Sequence, residues 1–141
     1  MTAMSDGTEP IRGNKAVEDA AIAWVMEHER LAGLTPNDTR YRGAPADIES
    51  PPRLIELKAF GGSNRGYDLW LEKRQVDEAR RNPDFFLYVV ENVRQGNPAL
   101  FKMRVLDNAH LGHLLERAKL QQYYLVPWPT GDYDMTPEGM S

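Results

Sequence analysis

Apolar residues along this chain recur with two different periods, and the two periods predict a domain that mixes helices and strands. Over Asn14–Leu31 the spacing is helical, with Asn14 as the expected N-cap. The side chains predicted to be buried in this helix are Val17, Ala20, Ala21, Trp24, Val25 and His28. Ile48, Ile55 and Leu57 instead alternate with polar residues, which is the two-residue period of a strand.

The apolar runs and turn residues beyond this point predict the remaining elements. We expect a loop at 61–66, a strand at 67–71, a helix at 72–81, strands at 85–93 and 100–106, a helix from Asp107 or Asn108 to about 119, and a strand at 123–126. This order predicts an α/β (α+β) fold in which helices flank a mixed central sheet. Residues 1–13 are expected to form a flexible lead-in, 14–127 the domain, and 128–141 a flexible tail.

The stretch from Asp47 to Lys58 gathers two carboxylates and a lysine. The Ser-Pro-Pro-Arg tetrad at 50–53 cannot lie in a central strand, so it is the expected turn. If the ends of this tetrad face each other, Asp47 lies opposite Glu56, and Lys58 shares their face. Like charges opposed across a sheet cost about 0.2–1 kcal/mol, so the pair favours a bound divalent cation. A shift of the register by one residue would separate the two acids.

Glu18 lies on the shoulder of the apolar stripe of the first predicted helix. A carboxylate at this position can point toward the sheet. The alternative is a first-turn glutamate that the helix dipole stabilises without any further role.

An acid followed, after a gap, by Glu-x-Lys at the end of an apolar strand resembles the signature of the PD-(D/E)XK nuclease fold. In this chain the pattern is Asp47 and then Glu56-Leu57-Lys58. Longer stretches at 14–18, 54–58, 75–79 and 85–93 resemble the carboxy-terminal domain family of protein NO VEIN. Relatives tend to carry a glycine and an aromatic residue before the aspartate, where this chain has Ala-Pro-Ala. Glu49 is therefore the nearest substitute for Asp47.

The resemblance implies a restriction-endonuclease-like fold over 14–127 and a Mg²⁺-dependent nuclease activity, with Mg²⁺ or Mn²⁺ as the cofactor and nucleic acid as the partner. The residues expected to act in catalysis are Asp47, Glu56, Lys58, Glu18 and Gln75, and the expected metal ligands are Asp47, Glu56 and the carbonyl of Leu57. Glu18 would assist the metal directly or through water. Lys58 would orient or deprotonate the attacking water, and Gln75 would position that water or the phosphate.

Composition limits these expectations. The 141 residues include no cysteine, which excludes disulfides, thiolate zinc sites and cysteine nucleophiles. No apolar run approaches the length of a membrane span, so we expect a cytoplasmic protein. The net charge of −4 argues against general coating of nucleic acid. Residues 40–81, however, carry nine basic and seven acidic side chains, a local positive excess.

Two other interpretations remain open at this stage. The domain could be a non-catalytic module that binds nucleic acid, a protein partner or a second copy of itself. Asp47, Glu56 and Lys58 could instead form an exposed ion-pair patch that contributes less than about 1 kcal/mol. His110 and His113 are three residues apart and could face a metal, but only Asp107 accompanies them, and we interpret them as helix-surface histidines.

Overall fold

Helices cover both faces of a five-stranded sheet in the computed structural model, which describes residues 10–139. The elements are α1 (Asn14–Leu31), β1 (Asn37–Asp38), β2 (Ile48–Ser50), β3 (Arg53–Ala59), α2 (Lys73–Arg81), β4 (Phe85–Glu91), β5 (Lys102–Leu106), α3 (Asn108–Leu115) and α4 (Thr130–Met135). Two short 3₁₀ turns, Val93–Gln95 and Pro98–Leu100, connect β4 to β5. The prediction of a mixed sheet flanked by helices is confirmed. The predicted lead-in lies mostly outside the described residues.

The strands lie in the order β1-β2-β3-β4-β5. β3 and β4 are parallel and connected through α2, whereas the other neighbours are antiparallel. In the β2–β3 hairpin, Ser50 faces Arg53 and Ile48 faces Ile55. This is the register predicted from the turn tetrad, and it extends beyond β2, because the amide of Asp47 donates to the carbonyl of Ile55 at 3.0 Å.

Two apolar clusters, one on each face of the sheet, hold the layers together. On one face, Ile48, Ile55 and Leu57 are buried under α1. On the other face, side chains of β4 such as Phe85 and Leu87 pack against α2 and α3. Because β3 and β4 are covered on both sides, a polar side chain on either strand has no direct route to solvent except near the sheet edge.

The first helix has the predicted bounds, but three details differ. Gly13, not Asn14, is the N-cap; its φ of 88° suits glycine, and Asn14 is already helical. Ala20 and Trp24 are only half-buried and His28 is exposed, whereas Ile22 is buried. Glu29 is also buried, and its carboxylate accepts a hydrogen bond from the Tyr88 hydroxyl at 3.2 Å, which no helical periodicity predicts.

The two isolated strand predictions are wrong. Residues 67–71 form an irregular connection, because β3 and β4 pair directly and leave no position between them. Residues 123–126 are fully exposed and also form no strand. The helix α3 ends at Leu115, earlier than predicted, and the expected tail contains the short helix α4.

The glycine-rich loop at 61–66 is tied to the end of β4. The Glu91 carboxylate accepts the amide hydrogen of Asn64, and the loop carbonyls of Gly61 and Gly62 accept amides from Arg94 and Asn92. The loop is therefore an anchored connection. None of the helices in the described range is long and apolar enough to cross a bilayer.

Asn108 joins three elements, and its replacement should destabilise the fold. Its side-chain amide donates to the carbonyls of Ala79 at 2.7 Å and Asn82 at 3.0 Å. Asn108→Ala should cost about 1–3 kcal/mol of unfolding free energy, since two carbonyls lose a partner. Asn108→Asp should cost more, because a carboxylate would face those carbonyls. Denaturant unfolding measures both, with Asn37→Ala, at an exposed position, as a control that should change little.

Candidate metal site

A cavity of about 300 Å³ opens where the β1–β2 connection, β3 and the start of α2 meet. Its lining residues are Glu18, Thr39, Arg40, Tyr41, Gly43, Ala44, Ala46, Asp47, Glu56, Glu72, Arg74 and Gln75. Four of the residues that the sequence nominates, Glu18, Asp47, Glu56 and Gln75, therefore line one cavity. Lys58 reaches it through its contact with Glu56, whereas Leu57 does not line it.

The two central acids lie on the face predicted for them, and Lys58 contacts only one of them. Glu56 is only 3% exposed, and one of its carboxylate oxygens is 3.1 Å from the Lys58 ammonium. Its other oxygen, Oε1, is buried without a hydrogen-bond partner among the described residues. Asp47 accepts the amide hydrogen of Leu57 at 3.0 Å. The role of the Leu57 carbonyl as a ligand stays a prediction, because the contact seen is through its amide.

Burial makes both carboxyl groups harder to ionise. Burial, and after it the negative charge of Asp47, raise the pKa of Glu56 to about 7. Burial also raises the pKa of Asp47 above its ordinary value, although the hydrogen bond from the Leu57 amide opposes this. A site in which desolvated carboxylates repel each other favours either a retained proton or a bound cation. The oxygen donors present are of the type that Mg²⁺ and Mn²⁺ prefer.

Glu18 faces the cavity, but Arg40 binds its carboxylate. The guanidinium of Arg40 lies 2.9 Å from Glu18, 2.8 Å from Asp19 and 2.8 Å from Asp38. It thereby links α1 to β1 and neutralises acids at the cavity mouth. Sequence reasoning missed Arg40; the positive excess over residues 40–81 was its only signal, and that excess does not single out one arginine.

The position of Gln75 is set by the first turn of α2. Its side-chain carbonyl accepts the amide hydrogen of Glu72 at 2.9 Å, while the Glu72 carboxylate accepts the amide hydrogen of Gln75. In this reciprocal capping box, the side-chain carbonyl oxygen of Gln75 is already occupied by a hydrogen bond from the backbone. Its side-chain NH₂ remains as the donor group beside the cavity.

The other candidates lie elsewhere. Glu49, the substitute for Asp47, is exposed on β2 and does not line the cavity. His110 and His113 are exposed on α3, as predicted, and His113 lies 3.4 Å from Glu116. Across residues 10–139, no group of three or more histidine or acidic side chains is arranged to hold a metal ion. An ion in the cavity would therefore rest on two carboxylates, backbone oxygens and water, which is a common environment for Mg²⁺.

A protein-family model described as "Protein NO VEIN, C-terminal" matches residues 17–103. This span runs from α1 into β5 and includes every residue nominated for the site. The chain belongs to the NO VEIN C-terminal family. No curated protein and no solved structure matches it. The family match shows membership of the family but not an activity. The chemistry therefore has to be argued from the residues of the cavity.

The raised pKa of Glu56 predicts a stability that falls as the pH rises. Stability linked to its proton is fully present below the ordinary pKa of 4.5 and is lost as the pH passes about 7. Glu56→Gln should remove this dependence and should be more stable than the wild type at pH 8, by on the order of 2 kcal/mol in chelator. Chemical unfolding from pH 4 to 9 measures it. The exposed Glu49→Gln is the control; parallel curves for wild type and Glu56→Gln would contradict the prediction.

Proposed function

We propose that this domain hydrolyses phosphodiester bonds of nucleic acid with Mg²⁺ or Mn²⁺ as cofactor. The observation that carries the proposal is the buried Glu56 carboxylate, which lies beside Asp47, contacts a single lysine, and has one oxygen without a partner among the described residues. A purely structural ion pair would satisfy its buried oxygens, because an unpaired buried charge is costly. A nuclease site of this type needs that charge for its cofactor.

The charges of the cavity favour binding of a cation, and a phosphate would bind well only after the cation. Its lining includes four carboxylates, of Glu18, Asp47, Glu56 and Glu72, against the guanidinium groups of Arg40 and Arg74. Both arginines already contact acids, Arg74 at 3.5 Å from Glu72. A phosphate alone would therefore meet a net negative surface, whereas a divalent ion would lower that charge and help a phosphate to bind.

Four residues at the cavity have a role in this proposal. Asp47 and Glu56 would hold the ion, which when bound would polarise a phosphoryl oxygen and acidify water in the cavity. The Lys58 ammonium, a quarter exposed and anchored by Glu56, would orient the attacking water and stabilise the developing negative charge. The side-chain NH₂ of Gln75 would donate to the same phosphate or water. The water oxygen would bond to phosphorus as the ester P–O bond breaks, and the departing oxygen would take up the proton that the water gives up.

Exposed arginines could contact the rest of the nucleic-acid backbone. Arg42, Arg65 and Arg80 are exposed and lie outside the ion pairs found among the described residues. Arg42 adjoins the cavity, between the lining residues Tyr41 and Gly43. Contacts of this kind supply affinity that falls as salt rises and does not depend on sequence.

One observation favours the non-catalytic alternative. The contact of Glu18 with Arg40 at 2.9 Å offsets the charge of the third acid, so only the carboxylates of Asp47 and Glu56 remain for a metal ion at the centre. A module that keeps the fold and binds nucleic acid or a protein without cutting would tolerate this arrangement. A cleavage assay distinguishes the nuclease from the binding module.

Metal binding should appear as a thermal shift that depends on Asp47. In Mg²⁺ or Mn²⁺ at one hundred times the dissociation constant, the wild type should gain about 2.7 kcal/mol. Asp47→Asn should lose this gain, yet be as stable as the wild type or more so in chelator, because repulsion with Glu56 is removed. Melts with and without metal measure it, with Glu49→Gln as the matched control. Equal shifts in wild type and Asp47→Asn would exclude the site.

Activity should require the same residues. Incubated with single- and double-stranded DNA and RNA in Mg²⁺ or Mn²⁺, the wild type should cut at least one substrate, and chelator should stop it. Glu56→Gln and Lys58→Met should each lower the rate by about 10²-fold or more while remaining folded. Glu49→Gln should cut normally. Binding without cleavage, with either metal and near neutral pH, would favour the binding-module alternative.

A further inference from the structure

The C-terminal arm, defined here as residues 116–139, is exposed along its whole length. Its large apolar side chains include Tyr123, Tyr124, Leu125, Val126, Trp128 and Tyr133, with exposed fractions from 60% to 96%. Apolar surface of this extent is unusual on an isolated soluble domain and marks an interaction site. None of its residues lines the cavity at Asp47 and Glu56, so a separate function has to account for it.

The arm has local order but no partner. Trp128 packs against Tyr133 with ring centroids 5.1 Å apart, and the amide of Tyr133 donates to the carbonyl of Pro129 at 2.9 Å, at the start of α4. The Tyr-Tyr-Leu-Val sequence at 123–126 is rich in residues that favour strands. It forms no strand here, since no strand of the described residues lies beside it.

Among the described residues, the strand β5 has an unpaired edge, to which a segment such as residues 123–126 could add as a strand. It is at the edge of the sheet, and no strand among residues 10–139 pairs with its outer side. Val105 on this strand is 44% exposed. A groove of about 440 Å³ at its start is lined by Asn92, Gln95, Ala99, Leu100, Phe101 and Lys102. An open edge with an adjacent groove can accept an extended segment by strand addition, with a side chain seated in the groove.

Charge is complementary between the acidic end of the arm and β5, whereas the start of the arm carries Arg117 and Lys119. Residues 130–139 of the arm carry Asp132, Asp134 and Glu138 and no basic residue. On β5, Lys102 and Arg104 are exposed. Opposite charges of this kind favour one orientation of docking and speed the encounter of the two surfaces.

We propose that the arm of one copy docks on β5 of a second copy, with residues 123–126 as an added strand, and that the exchange is reciprocal. The four aromatic side chains would bury at most about 600–1,000 Å² per arm, and less because Trp128 and Tyr133 already cover each other. Together with the partner surface that each arm covers, two arms would approach the roughly 1,200–2,000 Å² of a stable interface. A second copy is the occupant because each chain carries both the arm and the complementary edge, so a two-fold arrangement satisfies both.

Light scattering of the full chain tests the proposal. It should give twice the 16.0 kDa chain mass at micromolar concentration. The double variant Tyr124→Asp, Leu125→Asp should raise the dimer dissociation constant by at least about tenfold, and circular dichroism should show that the chain is still folded, because these side chains do not touch the core. Tyr67→Asp, which changes an exposed tyrosine outside the arm, is the control and should remain dimeric.

A mixing experiment distinguishes exchange between copies from packing within one chain. Lys102→Glu combined with Arg104→Glu should also raise the dimer dissociation constant. Mixed with the arm variant, it should form a heterodimer, because one intact arm then meets one intact edge. A monomeric full chain up to about 100 µM, an arm variant that stays dimeric, or a mixture without heterodimer would each overturn the proposal. If the edge variant fails to fold, the arm variant alone still decides.

Discussion

The architecture of the site depends on one constraint, a glutamate carried by a strand that is covered on both faces. Ile55 and Leu57 pack under α1, so the alternation of the strand directs Glu56 to the opposite face, toward α2. Lys58, two residues further on, lies on the same face and supplies one partner at 3.1 Å. Asp47, from the neighbouring strand connection, adds a second negative charge. The fold therefore keeps an unfavourable charge arrangement, and the packing of the two apolar clusters has to offset its cost.

Charge compensation is divided unequally within the cavity. At the mouth, Arg40 contacts three carboxylates, of Glu18, Asp19 and Asp38, within 2.9 Å. At the centre, Lys58 contacts Glu56 alone, and an oxygen of that group has no partner among the described residues. The mouth thus resembles a structural ion network that joins α1 to β1, whereas the centre has the perturbed carboxyl groups typical of functional sites. Only the centre has a reason to attract a cation.

The sequence predicted most where a local rule decides the structure. The spacing of apolar residues gave the bounds of α1, and the tetrad at 50–53 gave the hairpin register and the shared face of Asp47 and Glu56. Prediction from the sequence failed where contacts between residues far apart in the chain determine the structure. Arg40 contacts acids that are 21 and 22 residues away, and the buried Glu29 accepts a hydrogen bond from a tyrosine that is 59 residues away. The strand-like composition at 67–71 and 123–126 was also misleading, because a strand needs a free neighbouring edge as well as suitable residues.

On the proposed function, the charges also fix the order of events at the cavity. Arg40 contacts three acids and Arg74 lies 3.5 Å from Glu72, so a phosphate that approached either guanidinium would also meet a carboxylate. A phosphate at the centre would face Asp47 and Glu56 with only Lys58 to attract it. The ion is then needed for substrate binding as well as for chemistry. Affinity for nucleic acid in chelator would have to come from exposed arginines outside the cavity and should not change on Glu56→Gln, whereas the metal-dependent part of the affinity should disappear. Binding curves with and without Mn²⁺, for wild type and Glu56→Gln, separate these two contributions.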